Sequence, residues 1–324
     1  MLLGMLFMIV RIFALFCMLL PIAAFGQGTE SVMVVEAHSG KILIGTNSSV
    51  KRPVASLTKI ATAVVAVDWA TASGLDIGSI QITAPQTVAM VGGPNPMNLQ
   101  PGDSLSLRDA MYSALLGSDN LAAQTIADYV GRQILLKRGK DGDPVAAFVA
   151  EMNKLAGAIN MDRTHFENPH GLDNRKKIGT STAADMARLS IYAMRRNAIS
   201  FIVRQESRKI SVNGPGGKRD FTVKNTNQMI GEPGILGLKT GTTSLAGPCV
   251  SICMDREALV RTKPDGSKGV TPRRLIVVLL NSPDRFNRAR ALINQGWAIY
   301  DPWLESGGLV KNPDREILKV PAPR

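Results

Sequence analysis

The sequence predicts a mixed α/β (α+β) fold, with one sheet closed by both ends of the chain and a helical lobe between them. Strand-like segments gather towards the ends, at 31–36, 41–45, 247–254 and 273–280. Helical patterns fill the middle, at 56–70, 107–116, 120–137, 144–158 and 182–196. The 324 residues, 45% of them hydrophobic, suffice for one large domain or two lobes. A cleft between sheet and lobe is the natural place for a site.

The first 26 residues read as a leader outside the fold. Residues 12–25 form an apolar run, and Ala24-Phe-Gly26 offers small residues where a signal peptidase reads. Residues 2–10 are also apolar, with Arg11 the only charge; translation from Met8 would put Arg11 in a positive n-region. The expectation is a signal peptide over 1–26 and a mature chain starting near Gln27, periplasmic or extracellular, with no stable membrane anchor. An uncleaved anchor is the competing reading. A folded domain over 27–300 and a short tail over 301–324 complete the expected organisation.

After the strands at 31–36 and 41–45, the polar stretch 46–53 reads as a loop. From Ala55 the run SLTKIATAVVAVDWA places Leu57, Ile60, Ala61, Val64 and Val65 at helical spacing, with Pro53 feeding the helix start. LRDAMYSALLG and NLAAQTIADYVG are two more helical patterns, separated by Gly-Ser-Asp-Asn120. RKISVNG alternates before Pro215-Gly-Gly217, a strand running into a turn. Residues 249–254 alternate as a strand carrying Cys249 and Cys253. At about 13 Å apart these cysteines are beyond disulfide reach and read as buried small hydrophobes.

Ser56 and Lys59 form an S-x-x-K at that helix start, on one face. A serine hydroxyl needs a base to take its proton, and a lysine serves only if its ammonium form is disfavoured. A helix N-terminus, burial and a second cation such as Lys239 all act that way. The competing reading is a helix cap beside a solvated lysine. Ser48-Ser-Val-Lys51 has the same spacing but lies in the loop. Ser118-Asp-Asn120 sits between two helices, where side chains can enter a cleft; a plain helix cap competes. Ser211-Val-Asn213 also matches S-x-N, on a strand. Lys239-Thr240-Gly241 occurs once, before the 249–254 strand, and its glycine lets a ligand lie against the backbone. An edge strand there can pair with an extended peptide. An ordinary glycine-rich turn competes.

S-x-x-K, S-x-N and K-T-G in this order are the pattern of active-site serine penicillin-recognising enzymes. Over roughly residues 31–300 the chain resembles the serine-type D-Ala-D-Ala carboxypeptidases, the low-molecular-weight penicillin-binding proteins of peptidase family S11. The likeness extends to Val34–Leu43, Val54–Thr62, Met161–Asp173 and Ser181–Arg188. It implies a β-lactamase/transpeptidase-like fold, an antiparallel sheet flanked by helices with the active site between two lobes. It implies Ser56 as acylated nucleophile, Lys59 as general base, and Ser118 and Asn120 on the opposite wall. Lys239, Thr240 and Gly241 would face the substrate's terminal carboxylate, and the amides of Ser56 and Thr242 would form the oxyanion hole. An arginine near the start of the last helix would bind the free carboxylate. Arg285, eleven residues before Gly296-Trp297, fits best, with Arg288 and Arg290 close by and a charged surface helix as the competing reading.

The implied substrates are peptidoglycan stem peptides, with β-lactams as covalent inhibitors. Neither cofactor nor metal is expected: His38, His165 and His170 lack metal-ligand spacing and read as structural. The net charge of +12 comes with no interleaved aromatic platform, so no nucleic-acid partner is expected. DD-endopeptidase action on crosslinks uses the same acyl chemistry. A class A-like β-lactamase needs an E-x-x-L-N glutamate, and Glu151, Glu167 and Glu206 all lack the Leu-Asn. A non-catalytic cell-wall-binding or β-lactam-sensing module sits poorly with three intact motifs.

Overall fold

The computed structural model describes residues 29–174, 177–262 and 264–322. The leader expected over 1–26 lies outside the described residues. In chain order, β1 (Ser31–Glu36) and β2 (Ile42–Thr46) precede α1 (Lys59–Ala72), β3 (Gln81–Thr83) and β4 (Ser104–Ser106). Helices α2 (Leu107–Leu116), α3 (Asn120–Lys137), α4 (Pro144–Ala158), α5 (Ala183–Met194) and α6 (Asn197–Val203) follow. Then come β5 (Ser207–Gly214), β6 (Gly217–Lys224), β7 (Ile235–Thr243), β8 (Gly247–Thr262), β9 (Lys268–Leu280) and α7 (Arg285–Glu305).

Both chain ends meet in one five-stranded antiparallel sheet, ordered β2-β1-β9-β8-β7. The apolar runs of β1 and β9 pair at its centre because they are buried on both faces. The period-2 pleat divides their side chains between two cores. Met33, Val35, Ile276 and Val278 face the helical lobe, while Val32, Val34, Leu275 and Val277 pack with Trp297 and Tyr300 of α7. β7 is left at the edge, as an extended ligand requires.

A second sheet, β3-β4-β5-β6, was not anticipated beyond the β5 stretch. Strands β3 and β4 have three residues each, too short to display alternation, and β6 (GKRDFTVK) has few apolar residues. The helices start where local chemistry permits. Ser106, Asp119, Asp143 and Thr182 cap α2, α3, α4 and α5 through side-chain oxygens. Helices α3 and α4 pack closely at Gly131, where a Cβ would lie 1.8 Å from the Pro144 carbonyl oxygen.

The expected boundary at residue 300 falls inside α7, which runs on to Glu305. Beyond it, Leu318 is buried and its amide donates to Gly40 O at 2.7 Å, so the tail docks beside the β1–β2 hairpin. Among the described residues no helix is long and apolar enough to cross a membrane.

Candidate active site

Ser56 lies in a 3-10 turn, Ala55–Thr58, that runs directly into α1, rather than within the helix itself. The turn opens with Ala55 at φ 49°, and all four of its residues are buried. Lys59, three residues on, folds its Nζ back to Ser56 Oγ at 2.9 Å. The same Nζ donates to Asn120 Oδ1 at 2.6 Å and to the His170 carbonyl oxygen at 2.8 Å. Lys59 is fully buried, and burial holds its pKa well below the ordinary lysine value. The nearby Lys239 charge adds to this, against a smaller opposite pull from Asp119.

The opposite wall shows how a helix cap and site residues coexist in one tripeptide. Asp119 is the cap, accepting from the amides of Leu121 and Ala122, and its second oxygen accepts from Ser113 Oγ at 2.7 Å. That anchoring fixes its two neighbours. Ser118 sits at φ 59°, and its side chain makes no hydrogen bond among the described residues. Asn120 opens α3 and donates from Nδ2 to Gly92 O at 2.8 Å, which directs Oδ1 towards Lys59. Burial raises the Asp119 carboxyl pKa.

Strand β7 carries Lys239, Thr240, Gly241 and Thr242 along the sheet edge and packs against the Ser56 turn. Gly241 is required there: a Cβ would lie 2.8 Å from the Ser56 amide nitrogen. Lys239 is buried, with Nζ donating to Thr240 O at 2.9 Å. Its pKa falls to about 7, first through burial and then through the Arg285 charge. The Thr240 and Thr226 hydroxyls are 2.7 Å apart, and the exposed Thr242 donates its hydroxyl to Gly241 O.

Arg285, the first residue of α7, donates through Nη1 to Gly241 O, Thr242 Oγ1 and Cys249 O at 2.8, 2.9 and 3.1 Å. Its Nε and Nη2 make no hydrogen bond among the described residues. The neighbouring candidates are occupied elsewhere: Arg288 pairs with Glu30 and Arg290 with Glu232. Ser48 lies in the turn after β2 with Lys51 exposed, and Ser211 lies on β5. Cys249 and Cys253 are free and buried.

His170 is the residue that motif reading missed. The sequence suggested a structural role, yet its backbone carbonyl contacts Lys59. Its imidazole is held near pKa 3, by burial first and the Lys59 charge second. The local signal is the following glycine: Gly171 has φ 81° and leaves only 1.9 Å between a built Cβ and Ala55 O. His165 lies by Glu167, bridged to Thr180.

The family model described as D-alanyl-D-alanine carboxypeptidase, Peptidase S11, matches residues 26–258. The chain is 26% identical over 287 residues to D-alanyl-D-alanine carboxypeptidase DacB2 of Mycobacterium tuberculosis, with 86% of each chain covered. It is 31% identical over 224 residues to a D-alanyl-D-alanine endopeptidase of Pseudomonas aeruginosa, covering 68% of this chain and 65% of that one. It spans about half, 53%, of the Bacillus subtilis carboxypeptidase DacF, at 27% identity. The crystal structure of the Streptomyces K15 DD-transpeptidase superposes with a TM-score of 0.68 at 24% identity, covering 83% of this chain and 96% of that one.

Proposed function

Because the chain belongs to the D-alanyl-D-alanine carboxypeptidase family of serine peptidases, we propose that it removes the terminal D-alanine from peptidoglycan stem peptides through an acyl-enzyme on Ser56. The observation that carries this reading is the set of acceptors around Lys59. A neutral amine has two N–H groups and one lone pair. Asn120 Oδ1 and His170 O occupy the two N–H groups, which turns the lone pair towards Ser56 Oγ. Burial and the Lys239 charge favour that neutral form.

In this mechanism Ser56 Oγ attacks the penultimate D-Ala carbonyl while Lys59 Nζ takes its proton. The amides of Ser56 and Thr242 stabilise the oxyanion; a single such donor is worth about 3 kcal/mol. Ser118 relays a proton to the leaving D-alanine amine, and water then hydrolyses the ester. Lys239, Thr240 and Arg285 hold the terminal carboxylate, with Gly241 keeping the strand close. A β-lactam carbonyl acylates the same serine. No carboxylate hydrogen-bonds Ser56 or Lys59 among the described residues, which favours a long-lived penicilloyl adduct over β-lactamase turnover. Crosslink cleavage is the second reading, supported by the endopeptidase relative.

The test uses D-alanine release from a stem pentapeptide by wild type and Arg285→Ala. Loss of a charge-assisted, bidentate carboxylate contact costs about 2–3 kcal/mol, or about 30- to 150-fold in turnover. A substrate with an amidated terminus should lose much less, and Arg288→Ala should be near wild type. Equal losses on both substrates would remove Arg285 from carboxylate recognition. Absence of D-alanine release by wild type would remove the carboxypeptidase reading.

The apolar run at 12–25 supports export. N-terminal sequencing of the exported protein is expected to start near Gln27. An intact N-terminus in the membrane fraction would instead identify an anchor.

A further inference from the structure

We propose that Asn168 is a positioning residue for the acylation step, because its side-chain amide ties the turn that presents the His170 carbonyl to Lys59. Asn168 Oδ1 accepts from the amides of His170 at 3.2 Å and Gly171 at 2.6 Å, and its Nδ2 donates to Leu172 O at 3.0 Å. Its hydrogen bonds therefore all stay within residues 168–172, the Asx-turn use of an asparagine. Two further contacts clamp the turn. Thr62 Oγ1, three residues along α1 from Lys59, donates to Pro169 O at 2.5 Å. Gly171 lies so close to Ala55 O that no side chain fits. The turn is thus wedged between the nucleophile and the helix that bears its base.

The buried histidine invites a different assignment, as an acid or base. The geometry points away from it. Its Nδ1 accepts from the Leu172 amide at 3.2 Å, and the imidazole is neutral across the working pH range. What reaches Lys59 is the carbonyl, a group no side-chain substitution at position 170 removes. That carbonyl is one of the two acceptors that orient the neutral Lys59 amine. Releasing the turn lets the lone pair rotate away from Ser56 and admits water, which restores solvation of the ammonium form.

This inference rests on Ser56 and Lys59 acting as proposed above. The experiment measures the second-order rate of Ser56 acylation by a fluorescent penicillin across pH, with a thermal melt for each variant. Asn168→Ala is expected to slow acylation by about tenfold, the equivalent of one lost hydrogen bond. Its acid limb should move alkaline by about half a pH unit or more, towards the ordinary lysine value. Asn168→Asp keeps the acceptor for both amides and should recover the plateau rate to within about threefold of wild type. If the alanine variant does not fold, Asn168→Ser, whose hydroxyl closes a weaker turn, is read for the same limb shift. A limb that stays at the wild-type pH in Asn168→Ala or Asn168→Ser, whatever the melting temperature does, overturns the proposal. Undiminished acylation in Lys59→Arg would instead sink the parent reading, which makes the two failures distinguishable.

Discussion

Ser56→Ala is expected to abolish covalent labelling by a fluorescent penicillin and to cut D-alanine release by at least about 10³-fold. Ser48→Ala should leave both unchanged. The two serines share the same S-x-x-K spacing but not the same surroundings. Ser56 Oγ lies 2.9 Å from a buried lysine amine, and its amide lies against the edge strand at Gly241. Ser48 sits in a turn where its carbonyl accepts from the Ala184 amide at 2.9 Å and the paired Lys51 is exposed to water. Lys51 lacks the burial that disfavours the ammonium form of Lys59. A peptide map that placed the penicilloyl group on Ser48, or labelling that survived in Ser56→Ala, would sink the assignment.

Lys59→Arg is expected to lower acylation by about 10²- to 10⁴-fold, the usual span for loss of a general base. Arginine retains the positive charge and most of the reach, so a purely electrostatic role for Lys59 would survive the change. A guanidinium does not deprotonate in a protein, so a base role would not survive. The pH profile separates these further, and its sign follows from the two lysines. Lys59 is active when neutral, so acylation rises as pH increases through its lowered pKa, well below the ordinary lysine range. Lys239 binds the substrate carboxylate when charged, so kcat/KM for free-carboxylate substrates falls as pH increases through about 7. The two limbs belong to the coupled pair and give a bell. An amidated substrate, with no anion for Lys239, should lose most of the alkaline limb. Wild-type rates in Lys59→Arg, or an acid limb that persists unchanged in it, would refute the base role.

Much of the architecture was legible because its signals are local. The helical patterns at 107–116, 120–137 and 144–158 have the bounds of α2, α3 and α4, since an apolar stripe and a capping residue immediately before the first turn specify each. Closure of one sheet by both chain ends was legible from the apolar runs at 31–36 and 273–280. The second sheet was not, because strands of three residues have no period to read.

The candidate site divides along the same line. By itself the sequence determined the residue types, their order and the local settings of Ser56, Ser118-Asp-Asn120 and Lys239-Thr-Gly241. It ranked Arg285 ahead of Arg288 and Arg290 only by spacing to Gly296-Trp297; the three share one helix and differ in what faces them: the β7 edge, Glu30 and Glu232 respectively. It could not find the His170 carbonyl, because a backbone oxygen has no residue-type signature. The tertiary structure alone decided that residues 56, 59, 120 and 170 meet at one amine, and that Lys59 and Lys239 are both buried, with the Lys239 charge acting on Lys59 and the Arg285 charge on Lys239. The physical reason is that desolvation and Coulomb interaction depend on distances set by packing across the whole chain. A lysine becomes a base only after segments more than a hundred residues apart have removed its water and supplied its acceptors.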